Sequence, residues 1–121
     1  MINKHHRFMW NFTKSFVQSL SRPVFIYLTT LAITAQLFFA SIFYWAEGSL
    51  NPSLQTFFDS LYFTVTVMTG VGLGDIYPTS VLGKFISMLM MLSGTVIFVC
   101  FTGVLAASIL QIESEHIEKQ K

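Results

Sequence analysis

The sequence predicts an all-α integral membrane protein with two spanning helices and a short re-entrant helix between them. Three observations carry that prediction. Hydrophobic residues make up 53% of the 121-residue chain and charged residues only 11%, whereas soluble domains carry about 25% charge. Two apolar runs, starting near Pro23 and Leu82, are each long enough to cross a hydrocarbon core of roughly 30 Å as a helix. The segment between them is too short for a domain and too apolar for a plain loop.

Composition also narrows the function classes. A formal net charge of +1 provides no global field for nucleic acid. Cys100 is the single cysteine, so no disulfide within the chain and no CxxC metal or redox motif is possible. Lying in an apolar run, it is expected to be a packed, inert thiol. No nucleophile–base pair or metal-ligand cluster is visible, so neither catalysis nor an organic cofactor is expected.

Residues 1–21 place Phe8, Phe12, Phe16 and Leu20 four apart, with Lys4, Asn11, Lys14, Ser15 and Gln18 over much of the remaining surface. That pattern predicts an amphipathic helix lying in the lipid interface, although a disordered basic tail remains the plain alternative. The first span follows at about 23–45, PVFIYLTTLAITAQLFFASIFYW. Pro23 suits a first helical turn, and Tyr27, Tyr44 and Trp45 suit the membrane interfaces. The run is too long, and too far from the N-terminus, for a secretory signal.

In the middle segment, Asn51-Pro52-Ser53 reads as a helix start, a capping side chain followed by a first-turn proline. A re-entrant helix is expected over about 52–69, ending at Gly70. A hairpin over YFTVTVMT is weaker, because an open sheet edge cannot sit in lipid. The second span, about 82–110, is on the order of 40 Å long at ~1.5 Å per residue, so tilt or extension beyond the core is expected. Small residues recur along it at Ser87, Ser93, Gly94, Gly103, Ala106, Ala107 and Ser108, and such residues let helix backbones approach closely in lipid. It is expected to pack against copies of itself. A short polar tail, 111–121, carries Glu113, Glu115 and Glu118, and no ligand-binding domain is expected after it. Lys4, Arg7, Lys14 and Arg22 precede the first span, whereas only Lys84 lies between the spans. The excess of basic residues predicts cytoplasmic termini.

Between the spans the chain reads TVTVMTGVGLGD, with Gly70, Gly72 and Gly74 at alternate positions before Asp75. A cation entering a membrane exchanges its water for oxygen ligands, and successive backbone carbonyls can supply them if they face one axis. Regular β geometry alternates carbonyl directions. Alternating right- and left-handed dihedrals aligns them, and glycine adopts the left-handed ones at little steric cost. Val71 and Leu73 would then turn their side chains away from the axis into protein. The helix ending near Thr69 would add the negative end of its dipole. One chain cannot surround an ion, so cyclic assembly is expected.

YFTVTVMTGVGLGDIYP resembles the pore loop of potassium channels, whose common filter reads TVGYG followed by Asp. The order of outer helix, pore helix, filter and inner helix is similar to the two-transmembrane prokaryotic potassium channel pore over roughly Arg22 to Leu110. The resemblance implies a homotetramer that passes K+ passively across a cell membrane. It implies filter carbonyls from Thr69, Gly70, Val71, Gly72, Leu73 and Gly74, with K+ held at Gly70 to Leu73. Filter support would come from Asp75, Tyr62, Phe63 and Thr66. Gly94 falls where the family often has a hinge glycine, and its other reading is close helix packing. Phe98 and Thr102 would face the cavity, and Ala106 to Leu110 would approach the cytoplasmic constriction.

Two departures bear on selectivity. Gly70 stands where the family has threonine, removing a hydroxyl from each subunit at the innermost ion site. Leu73 stands where it has tyrosine, removing a hydrogen bond to the surrounding cuff, so packing alone would hold it. The expectation is a potassium channel. A poorly selective monovalent cation channel is the alternative, and a non-conducting membrane assembly subunit the third reading.

Overall fold

The computed structural model describes residues 6, 9, 10, 13, 14, 16–18, 20 and 22–118; the side chains of residues 112, 113, 115 and 116 are not described. The amphipathic helix expected over 1–21 therefore lies largely outside the described residues. Three helices follow: α1 (Pro23–Glu47), α2 (Phe57–Met68) and α3 (Val81–Glu118). Among the described residues there is no strand. α1 and α3 are long and apolar enough to cross a membrane.

α1 begins at its proline and runs 25 residues to Glu47, two residues beyond the expected end. α2 starts later than Asn51-Pro52-Ser53 suggests. Its N-cap is Thr56, with a complete capping box: the Thr56 hydroxyl accepts the Asp59 N–H, and the Asp59 carboxylate accepts the Thr56 N–H at 2.7 Å. Asn51 serves the preceding turn instead. Its Oδ1 accepts the Ser53 N–H at 3.1 Å and its Nδ2 donates to the Tyr77 carbonyl at 2.7 Å. α3 runs 38 residues through the stretch expected to be a tail. Nothing between Leu110 and Glu118 breaks it: no proline or glycine intervenes.

The chain divides into two compact units, residues 30–99 and residues 1–29 with 100–121. In the first, the core joins Phe43 of α1, Leu54, Phe63 and Met68 of α2 and its approach, and Ile86 and Met90 of α3. Phe43 and Phe63 stack with ring centroids 4.4 Å apart. The Ser60 hydroxyl donates to the Ala40 carbonyl at 2.7 Å, tying α2 to α1 where both are buried. In the second unit Phe25, almost fully buried, meets Phe101 edge-on at 5.3 Å, and Arg22 donates to Gln111 Oε1 at 3.1 Å. Cys100 is exposed rather than packed: it sits on a face of α3 that its own chain leaves uncovered.

Candidate ion-conduction site

The site grows from the C-terminal end of α2. Thr69 caps that helix with right-handed dihedrals, its N–H reaching the Val65 carbonyl and its hydroxyl donating to the same oxygen at 2.7 Å. The next residues alternate. Gly70, Gly72 and Gly74 have φ of 79°, 52° and 79°, and among the described residues no residue other than glycine has positive φ. In that region an L side chain is strained and glycine is not. The Gly72 N–H donates to the Thr66 carbonyl at 2.9 Å and the Gly70 N–H to the Val67 carbonyl at 3.2 Å. These two bonds anchor the start of the segment to the last turn of α2.

Thr66 is buried, with its hydroxyl donating to the Phe63 carbonyl at 2.8 Å. Phe63 points into the core, stacked against Phe43. The Asp75 carboxylate, as a hydrogen-bond acceptor facing the Tyr62 hydroxyl, pushes that phenol above its ordinary value. Val71 and Leu73 remain 64% and 62% exposed, so a single chain does not enclose them. Space around all three glycines is open: a methyl added at any of them would meet nothing within 4 Å.

On α3, Gly94, Phe98, Thr102, Ala106 and Leu110 recur every fourth residue. At 3.6 residues per turn they form a stripe drifting about 40° per step. Gly94 is buried, while Phe98, Thr102, Ala106 and Leu110 are exposed.

The structure brings forward a residue without an expected role. Glu47, at the end of α1, is fully buried. Its carboxylate accepts the Thr79 N–H and hydroxyl, each at 2.8 Å, the Ser80 N–H at 2.8 Å and the Ser80 hydroxyl. Asn51 Nδ2 adds a contact at 3.3 Å. The Ser80 hydroxyl in turn accepts the Gly83 N–H at 2.9 Å. A carboxylate thus sits at the N-terminus of α3, where the helix dipole favours an anion and its hydrogen bonds are charge-assisted. The sequence holds one faint signal of this: Glu47 is the only charge in α1, and Thr79-Ser80 immediately precede α3.

Two membrane-length helices, a short helix between them and a left-handed glycine series at its end define a membrane protein of the ion-channel class. The ion channel family's sequence profile matches residues 28–111, and the chain belongs to that family. It is 42% identical over 74 residues to a hyperpolarization-activated voltage-gated potassium channel of Methanocaldococcus jannaschii, covering 58% of this chain and 34% of that protein. It is 36% identical over 63 residues to the calcium-gated potassium channel TvoK of Thermoplasma volcanium, covering 52% of this chain and 18% of that one. A calcium-activated potassium channel of Caenorhabditis elegans, slo-1, is 36% identical over 55 residues, 46% of this chain and 5% of its own length. The chain therefore spans about a third or less of these relatives.

Proposed function

We propose that the chain is the pore-forming unit of a potassium channel, with four copies around one axis and K+ passing passively down its electrochemical gradient. The observation that carries this is the alternation of positive φ at Gly70, Gly72 and Gly74 directly after a helix C-terminus. Alternation turns successive carbonyls, from Thr69 to Gly74, toward one side, where four chains can replace the hydration shell of a cation. The exposure of Val71 and Leu73 supports assembly, since their side chains then pack against neighbouring copies. Phe98, Thr102, Ala106 and Leu110 line the cavity and constriction on α3. The protein lies in the cell membrane with both termini cytoplasmic.

Poor discrimination between K+ and Na+ is the second reading, favoured by Gly70, which has no hydroxyl and open space around it. A reversal potential in planar bilayers, K+ on one side and Na+ on the other, separates the two. A value near the potassium equilibrium potential supports selective conduction through carbonyls alone. A value near zero with sizeable current identifies a nonselective pore, for which Gly70→Thr with Leu73→Tyr should raise selectivity. No current from the assembled protein refutes conduction.

A further inference from the structure

The three glycines of α3 meet different surroundings. A methyl group at Gly103 would enter open space. At Gly83 it would collide with the Glu47 side chain, 2.6 Å from Cδ and 2.7 Å from Cγ. At Gly94 it would collide with backbone: it would overlap the Met68 carbonyl oxygen and lie 2.5 Å from Met68 Cα and 2.8 Å from the carbonyl carbon. The Glu47 side chain could yield by giving up hydrogen bonds to Thr79 and Ser80, but a backbone neighbour moves only with its helix.

Met68 is the last residue of α2 and is tightly held. It is 6% exposed, within the cluster of Phe43, Leu54, Phe63, Ile86 and Met90. The next residue is bound to Val65 through both its N–H and its hydroxyl, and Gly70 is bound to Val67. Packed interiors transmit displacement rather than absorb it. A shift at Met68 therefore passes into Thr69 and Gly70, where the glycine series begins. Gly94 itself has no positive φ, and α3 continues through it as helix. Its lack of a side chain is used in this structure for close approach.

We infer that Gly94 is a positioning residue for the inner end of the ion path. By letting α3 lie directly on the Met68 backbone, it sets where the Thr69 and Gly70 carbonyls stand, and so contributes to ion discrimination. This rests on the proposed pore function. A role as a flexible hinge would instead act on the frequency of opening.

The test compares wild type, Gly94→Ala, Gly94→Ala with Thr95→Gly, and Gly103→Ala in planar bilayers with K+ opposed to Na+. Thr95 is an exposed helix residue whose hydroxyl turns back to the Met91 carbonyl. A glycine there restores backbone freedom beside residue 94 but not the space against Met68. The expected result is a severalfold change in the K+/Na+ permeability ratio and in unitary conductance for Gly94→Ala, persisting in the double variant, with Gly103→Ala unchanged. The inference is overturned if Gly94→Ala alters only open probability, if Thr95→Gly restores the wild-type ratio, or if Gly103→Ala shifts the ratio equally. If Gly94→Ala fails to assemble, a four-copy tandem chain carrying it in one copy should give an intermediate ratio, and a wild-type ratio there also overturns it. Wild-type protein without current refutes the pore reading and this inference with it. Wild-type current with an unaltered Gly94→Ala ratio refutes the inference alone.

Discussion

Glu47 and Tyr62 show how single side chains hold this fold around the glycine segment. Glu47 is buried and accepts the N–H and hydroxyl groups of Thr79 and Ser80. Glu47→Gln removes the charge and turns an amide NH2 toward groups that are themselves donors. Leaving buried donors without acceptors costs about 1–3 kcal/mol. The expected outcome is earlier thermal dissociation of the assembled protein in detergent, read as a lower midpoint on heated gels. Tyr62 faces the Asp75 carboxylate, whose pull on the hydroxyl proton raises the phenol's pKa above its ordinary value of 10.0. The raised value means that the folded state favours the protonated phenol. Its contribution is complete below the ordinary phenol value and is lost as pH rises through the raised one. Ion selectivity should therefore be flat across neutral pH and weaken only in strong alkali. Tyr62→Phe should bring the same weakening at neutral pH, measured as a reversal-potential shift toward zero.

At the scale of the element, α2 is short and its apolar sequence FFDSLYFTVTVM includes β-branched residues that are modest helix formers. Its start depends on the capping box. The Asp59 carboxylate accepts the N–H groups of Thr56 and Gln55 and the Thr56 hydroxyl, at 2.7, 3.1 and 2.9 Å. Bonding from the Thr56 backbone first, then from its hydroxyl, lowers the Asp59 pKa below 3.8. That stabilisation is present above the ordinary carboxylate value and is lost as pH falls through the lowered one. Thr56→Ala should cost about 1 kcal/mol, as N-cap replacements do, and should speed amide hydrogen exchange in the first turn of α2. Gly83 on α3 is constrained in another way: Gly83→Ala drives a methyl into the Glu47 carboxylate. Overpacking of this kind costs about 1–3 kcal/mol, so this variant should lower the dissociation temperature as Glu47→Gln does.

At the scale of the whole molecule, the single chain leaves a great deal of apolar surface uncovered. Some of it suits lipid, as on α1 and α3. The rest lies on α2 and the glycine segment: Phe58, Val65, Val71 and Leu73 are 73%, 37%, 64% and 62% exposed. Unlike a lipid-facing helix, a glycine segment with extended backbone must be covered by protein or line a water-filled path. The expected particle is a tetramer, measurable by native mass spectrometry from detergent. In a Cys100→Ser background, a maleimide probe should label Leu73→Cys slowly in the tetramer and rapidly after dissociation.

Much of this was legible in the sequence because the signals are local. Apolar runs mark α1 and α3 since burial in lipid acts residue by residue along a helix. Alternate glycines mark the positive dihedrals, since only the backbone at each position decides whether a side chain is tolerated. The start of α2 was misplaced by a local ambiguity: Asn51-Pro52-Ser53 and Thr56 with Asp59 are both helix starts on paper. The partners of Asn51, which include Tyr77 26 residues away, commit it to the turn. The sequence by itself determined the membrane class, the order of helices and the place of the glycine segment. Tertiary structure alone decided that Glu47 anchors the start of α3 and that Gly94 lies on Met68. Those pairings are 32 to 33 and 26 residues apart. Contacts at such separation arise from how helices pack, and no pattern along one segment encodes its partner on another.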